Sequence, residues 1–261
     1  MTAAAATELA EFLERAAAVS AAPVREALAR SPIAAADAVG RDDLDRLLDP
    51  AALPAEVGWC TLPDGTGYVQ VRTEMPGVSA AMVDWWFEWH PEESIRYQVW
   101  FPGKHEANRW EPGPGGGTAK RLWGAVHYPV EDIGLGMQRL RIAFERPTNL
   151  GFASDGVGDR DVATIVCGRS GPARPAIDHT LMAHVFLREG DGVALRSSFW
   201  IGALVRPAFL RRRLVPPDAP RLLAEHCAQE YANLAAILPD LYRRFGPGSA
   251  SASGADADSG S

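Results

Sequence analysis

The run RLLAEHCAQEYANLAAIL, Arg221 to Leu238, decides how the rest of this chain is read. Laid out at 100° per residue, Leu223, His226, Cys227, Glu230, Leu234, Ile237 and Leu241 fall in one arc, while Arg221, Glu225, Gln229 and Asp240 lie outside it. The pattern predicts a long amphipathic helix from Pro216 to Leu238. Pro239 then ends or kinks it and leaves Asp240 to Phe245 as a last turn. His226 and Glu230 stand one turn apart in the middle of the apolar arc, where an uncompensated carboxylate is costly to bury. Two readings compete for them. One is a His–Glu hydrogen bond within a helix interface. The other is a pair of ligands aimed at one divalent metal, as an i, i+4 pair presents on zinc-binding helices.

Upstream, strand signals dominate. Ala119–Tyr128, Gln138–Glu145, Asp161–Cys167, Leu181–Arg188 and Val193–Ile201 each run as apolar or alternating segments. Leu140, Ile142 and Phe144 alternate with Arg139, Arg141 and Glu145, as an antiparallel strand with one wet face requires. In LMAHVFL, Met182, His184 and Phe186 share the face opposite Leu181, Ala183, Val185 and Leu187, and Asp191-Gly192 fits a hairpin turn. Earlier strands are expected at Glu56–Cys60 and Tyr68–Thr73, joined at Asp64-Gly65-Thr66-Gly67.

Between these strand groups lies MVDWWFEWHPEESIRYQVWFPGKHEAN, Met82 to Asn108. Ser79 can cap a helix whose Met82, Trp85, Trp86 and Trp89 share a face. Pro91 stops it, a second helical segment from Glu92 to Trp100 follows, and His105 and Asn108 fall in a loop after Pro102-Gly103. His90 reads as a brace for the tryptophans, and His127 and His179 show nothing specific. Glu111 to Gly117 reads as a glycine-rich hinge or lid base without the context of a phosphate loop.

Composition narrows the classes. The chain has 261 residues, a net charge of −7 and 47% hydrophobic residues. Its one basic cluster, Arg211-Arg212-Arg213, is too short to argue for nucleic acid. No apolar run approaches membrane length, and the N-terminus lacks the basic-then-apolar order of a secretory signal. Three widely spaced cysteines form no metal motif among themselves and suit a reducing compartment, so a cytoplasmic location is expected. Short Ala-rich helices are expected at residues 7–18, 22–30 and 41–48, as a cap on the main domain or a loosely attached extension. The resulting division is an N-terminal helical extension over 1–54, a main domain over 55–245, and a disordered Gly/Ser tail over 246–261.

Strand, two helices, a run of antiparallel strands and one long C-terminal helix is the order of the α+β helix-grip fold, seen in START and birch-pollen-allergen-like domains. A curved sheet there wraps the helix and encloses an apolar pocket, because a sheet with one buried face needs such a helix to cover it. His226 and Glu230 would face that pocket.

Four segments carry a resemblance to a known family: Trp85–Asn108, Tyr128–Phe152, LRSSFWIG (Leu195–Gly202) and HCAQE (His226–Glu230). Together they resemble the diacetylphloroglucinol and phloretin hydrolases, over about two-thirds of the chain from Trp59 to Phe245. The resemblance implies hydrolysis of the carbon–carbon bond between an acyl group and a polyphenol ring, at a zinc ion held by two His and two Glu. The matching positions are His105, Glu131, His226 and Glu230. On the residues alone Glu131 reads as a surface or rim carboxylate, with Asp132 as its rival. Tyr97 and Asn108 match positions that hydrogen-bond the substrate's phenolic and acyl oxygens in the family. The family's further substrate-contacting Tyr has no counterpart, since no Tyr occurs between Tyr128 and Tyr231, and His184 is the candidate to take its role. Ser197-Ser198 also stand where the family's strand motif has an Arg.

The expected partner is a small aromatic substrate, with neither nucleic acid nor membrane, and a homodimer stays open. Two other functions fit the same fold: a polyketide cyclase or aromatase using the metal as a Lewis acid, and a non-catalytic small-molecule carrier. A carrier needs the pocket but not two His and two Glu converging on one point.

Overall fold

The computed structural model describes residues 3–114 and 120–249. Among these residues are ten strands and seven α-helices. The strands are β1 (Gly58–Thr61), β2 (Gly67–Met75), β3 (His105–Ala107), β4 (Trp110–Glu111), β5 (Val126–His127), β6 (Val130–Asp132), β7 (Met137–Glu145), β8 (Val162–Pro172), β9 (Thr180–Glu189) and β10 (Gly192–Ile201). The helices are α1 (Ala3–Glu14), α2 (Ala22–Ala29), α3 (Ala80–Trp89), α4 (Ser94–Gln98), α5 (Pro147–Leu150), α6 (Arg211–Leu214) and α7 (Ala219–Phe245). All strand pairs are antiparallel, in the order β1-β2-β10-β9-β8-β7-β5-β4, and β6 joins β7 while pairing with β3. This is the helix-grip arrangement, a curved antiparallel sheet closed around the C-terminal helix.

The period-two pattern of the long strands sorts their side chains between two cores. Met182 and Phe186 of β9 and Leu195 and Phe199 of β10 meet Cys227, Leu234, Leu238 and Leu241 of α7. Leu181, Ala183, Val185 and Leu187 face the other way, with Trp200, onto Val39, Leu44, Leu47 and Leu53. Both faces of the sheet are therefore covered, and the N-terminal segment covers the outer one. Arg196, fully buried on that face, ties the segment down. Its guanidinium donates to both carboxylate oxygens of Glu56 and to the backbone oxygens of Leu47, Asp49 and Ala51. Leu9 and Phe12 of α1 reach the inner core instead, and Asn233 of α7 accepts from Ala18 N.

Several elements differ from their expected limits. Helix α7 passes through Pro239 and continues to Phe245. A mid-helix proline costs one backbone hydrogen bond and a clash. Buried Ile237, Leu238 and Leu241, with Trp85 against Tyr242 and Trp89 stacked on Phe245, hold the last turns in place. Ser79 does cap α3, accepting from Met82 N. The second helical segment is shorter than expected: a 3-10 turn at His90–Glu92, then α4. Of the strand expected over Ala119–Tyr128 only Val126–His127 pairs, because Gly124 takes the left-handed region (φ +83°) and breaks the extended run; Ala119 lies outside the described residues. The β9–β10 turn is Gly190-Asp191, one residue early, since Glu189 pairs with Gly192. Residues 41–48 form a single 3-10 turn, Leu44–Leu47. Gly115 to Gly117 of the expected hinge and residues 250–261 of the expected tail lie outside the described residues.

Candidate metal centre and active site

Four elements bring the site together. Helix α7 supplies His226 and Glu230, both buried as their arc requires. His105 is not in a loop: it opens β3 and sits opposite Glu131 of β6 in the strand register. The turn at Pro102-Gly103 (φ +79°) and the bond from His105 N to Phe101 O (2.9 Å) start that strand. On the other side the β6–β7 hairpin sets the direction of Glu131. Asp132 points outward, paired with Lys104 (2.8 Å) and accepting from Gly134 N and Gly136 N (2.8 and 2.9 Å), with both glycines at positive φ. Successive strand side chains alternate, so anchoring Asp132 outside turns Glu131 inward, where it is 8% exposed. Glu131, not Asp132, is therefore the carboxylate that faces His105.

The donor atoms converge. Among the described residues, His105, His226 and Glu230 form one group whose ligand atoms all lie within 4.8 Å of one another. His105 Nε2 is 3.3 Å from Glu131 Oε2 and 3.5 Å from Glu230 Oε2, and His226 Nε2 is 3.6 Å from Glu230 Oε2. Glu131 is thus a neighbour of the group rather than a member of it, and it accepts a short hydrogen bond from the Tyr97 hydroxyl. The Tyr97 ring lies flat on His105, 4.1 Å between centroids and 4° from parallel. The backbone oxygen of Tyr97 takes His105 Nδ1 at 3.3 Å, which leaves Nε2 toward the acids. That buried Nε2 has no hydrogen-bond partner among the described residues. Trp100 Nε1 donates to the backbone oxygen of Glu230 (3.1 Å) and steadies that turn of α7.

The charges follow from these positions. Burial pushes the Glu230 carboxyl up, but His226 and His105 beside it more than offset that and bring it to about 2. Burial pulls His226 down, and the Glu230 carboxylate raises it above its ordinary value. An ionised carboxylate, two inward-facing imidazoles and a second carboxylate within reach suit a divalent ion. The unpaired His105 Nε2 is the ligand atom that this arrangement would otherwise waste.

Next to the cluster lies a cavity of about 80 Å³ between sheet and helix. Tyr97, Asn108 and His184 all line it, together with Glu131, His226 and Glu230. Burial, then Glu131, hold the Tyr97 phenol well above its usual pKa, so it stays a donor. His184 has Nδ1 3.0 Å from Ser197 Oγ, and burial lowers its pKa to about 4, so it is neutral. Ser197 therefore stands behind His184, while the neighbouring Arg196 points to the outer face.

His90, His127 and Tyr231 are among the further residues that line the cavity. The sequence holds a partial signal for Tyr231, which follows Glu230 on a helix whose apolar arc is broad. His127 sits on a two-residue strand with no periodicity to read, and His90 contacts both the tryptophans and Asn108.

A curved sheet closed by a helix, around a buried acid–imidazole cluster and a cavity walled by phenol, amide and imidazole groups, defines a helix-grip domain with a candidate metal centre. The chain belongs to the DAPG hydrolase PhiG domain family, which it matches over residues 40–243. It is 36% identical over 202 residues to phloretin hydrolase of Eubacterium ramulus, covering 72% of each chain. It is 33% identical over 227 residues to 2,4-diacetylphloroglucinol hydrolase of Pseudomonas protegens, covering 78% of this chain and 73% of that one. Among solved structures, an aromatase/cyclase from a Streptomyces species aligns with a TM-score of 0.37 at 14% identity, over 69% of this chain and 95% of that one. No helix among the described residues is long and apolar enough to cross a membrane.

Proposed function

We propose that this protein hydrolyses the carbon–carbon bond joining an acyl group to a polyphenol ring, with zinc held by His105, His226 and Glu230 and Glu131 as the fourth ligand. The observation that carries this reading is the buried His–His–Glu cluster opening onto a cavity whose other polar groups, Glu131 apart, are neutral hydrogen-bonding side chains. Membership of a family whose relatives are named as acylphenol hydrolases supports the choice of reaction.

A divalent ion in that cluster would polarise an acyl carbonyl and acidify a water molecule. The chain's own groups then have separate tasks. The Tyr97 hydroxyl already donates its hydrogen bond to Glu131, so its oxygen is free only to accept, and it would receive a hydrogen bond from a phenolic hydroxyl on the ring. Asn108 would hold a second ring oxygen. His184, neutral and tethered through Nδ1 to Ser197, would take the proton that a phenolic hydroxyl gives up and pass it to the ring carbon that carries the acyl group. That transfer turns the ring C–OH into C=O, removes aromaticity and leaves the acyl carbon on a diketone, open to attack by water. Breaking the carbon–carbon bond returns the electron pair to the ring, which regains its phenol form, and the acyl group leaves as a carboxylic acid. Apolar walls from Phe87, Phe144 and Phe199 exclude bulk water. The expected location is the cytoplasm.

The test is an acylphloroglucinol incubated in isotopically labelled water. The expected products are the free phenol and a carboxylic acid containing one labelled oxygen. No cleavage by fully metallated protein, or ring closure of a polyketide chain without label, would refute the hydrolase reading.

A further inference from the structure

Away from the acid–imidazole cluster, the cavity wall is formed by His90, Asn108 and His127. His90 Nδ1 lies 2.8 Å from Trp86 O, and its Nε2 lies 3.2 Å from Asn108 Nδ2. The same Asn108 nitrogen lies 3.4 Å from His127 Nδ1. Burial lowers His90 to about 3 and holds His127 well below its usual value, so both rings are neutral.

These contacts fix every proton in the row. A carbonyl only accepts, so His90 Nδ1 carries the hydrogen and its Nε2 is bare. Bare Nε2 needs a donor, so Asn108 must present its NH2 group there rather than its oxygen. The second N–H of that amide faces His127 Nδ1, which must also be bare. The His127 hydrogen is therefore on Nε2. Two polar atoms are left over: Asn108 Oδ1, an acceptor, and His127 Nε2, a donor. Both are buried and neither has a hydrogen-bond partner among the described residues. Buried polar atoms are nearly always paired, so two orphans on neighbouring side chains of one cavity wall point to a ligand. The rings cannot easily turn away. His127 is wedged between Phe144 (4.6 Å) and Trp110 (5.6 Å), and His90 is stacked on Trp86 (5.0 Å) and Tyr97 (5.6 Å).

We propose that Asn108 Oδ1 and His127 Nε2–H together read a free hydroxyl on the substrate ring, with His127 determining specificity and His90 positioning the Asn108 amide. The inference rests on the acylphenol reading of the site. A hydroxyl donates to Asn108 and accepts from His127, which satisfies both orphans. A methyl ether cannot donate, and a bare ring carbon does neither. The preferred substrates are then polyphenols with an unmodified hydroxyl at this position, beyond the one that Tyr97 receives.

The experiment compares trihydroxyacetophenone with its two dihydroxy analogues, lacking the hydroxyl ortho or para to the acyl group, and with the corresponding mono-methyl ethers. Wild-type, metal-loaded enzyme is expected to lose about a hundredfold or more in kcat/KM for one dihydroxy analogue and its ether, as sites built to bond a hydroxyl do. In His127→Phe, with metal content unchanged, that ratio should fall by about tenfold, because one of the two bonds to the hydroxyl is gone while Asn108 Oδ1 still accepts. His90→Phe should weaken the discrimination in the same way. His90→Gln, which can again donate to Trp86 O and accept from Asn108, should restore it, and a merely structural role would not produce that pattern. Equal rates for all the analogues with wild type, or wild-type discrimination retained in His127→Phe, would overturn the proposal. If His127→Phe does not fold, the wild-type comparison with the ethers decides. If wild type cleaves no acylphenol, the hydrolase reading has failed separately. Calorimetric titration with phloroglucinol and resorcinol then decides this proposal: equal affinities overturn it, and a preference for phloroglucinol that His90→Phe abolishes upholds it.

Discussion

Replacing Tyr97 by Phe removes one hydroxyl from the cavity and almost nothing else. The ring that lies on His105 keeps its shape, and the backbone oxygen that orients His105 Nδ1 is untouched. What disappears is the bond from the hydroxyl to Glu131. A hydrogen bond to a charged group contributes about 1.5–3 kcal/mol. Tyr97 is 3% and Glu131 8% exposed, so water cannot fully replace it. A loss of that size lowers the melting temperature by about 3–12 °C in a chain of this length. The effect on catalysis should be larger, because the same oxygen is the proposed acceptor for the substrate hydroxyl. Losing one oriented group in the transition state costs on the order of a hundredfold in kcat. The assay is kcat/KM on an acylphloroglucinol, with zinc content measured by elemental analysis on the same preparation and melting followed by circular dichroism. A variant with full metal content and activity within about threefold of wild type would refute the assignment of Tyr97 as a substrate-orienting group. A variant that loses its metal would instead mean that Tyr97 acts by holding Glu131.

Chelation of the metal should lower the melting temperature, since an ion bound only by the folded state stabilises it by mass action. Glu230→Gln should melt like the chelated protein and lose its response to added zinc; an unchanged melting curve in both would argue against a resident metal. Arg196→Met, on the far side of β10 from the cavity, breaks a buried guanidinium's bonds to Glu56 and to the backbone oxygens of Leu47, Asp49 and Ala51. Glu56 is 23% exposed, so water takes up part of the loss and the cost should be about 1–3 kcal/mol, read by urea titration, while kcat per folded molecule should stay at the wild-type value.

Much of this architecture is local enough to be legible in the chain. The buried arc of α7, the Ser79 cap, and the opposite faces of Met182/His184/Phe186 and Leu181/Ala183/Val185/Leu187 all follow from periods of 3.6 and 2, which depend on backbone geometry alone. His226 and Glu230 were readable for the same reason: their spacing fixes them on one face, and the face must be buried. Other features depend on contacts between distant segments. That helix α7 survives Pro239 depends on Trp85 and Trp89, some 150 residues away in sequence. That His105 meets Glu131 depends on the register of two three-residue strands, too short to carry a pattern. His127 acquires its place, and its tautomer, only through Asn108 and His90. Helix α7, the long strands and the His226/Glu230 side of the acid–imidazole cluster are set by the periodicity of single segments, so they can be read from residue order. Which carboxylate turns inward, how Arg196 fastens the N-terminal segment, and which buried polar atoms stay unpaired are set by hydrogen bonds between segments that residue order does not bring together.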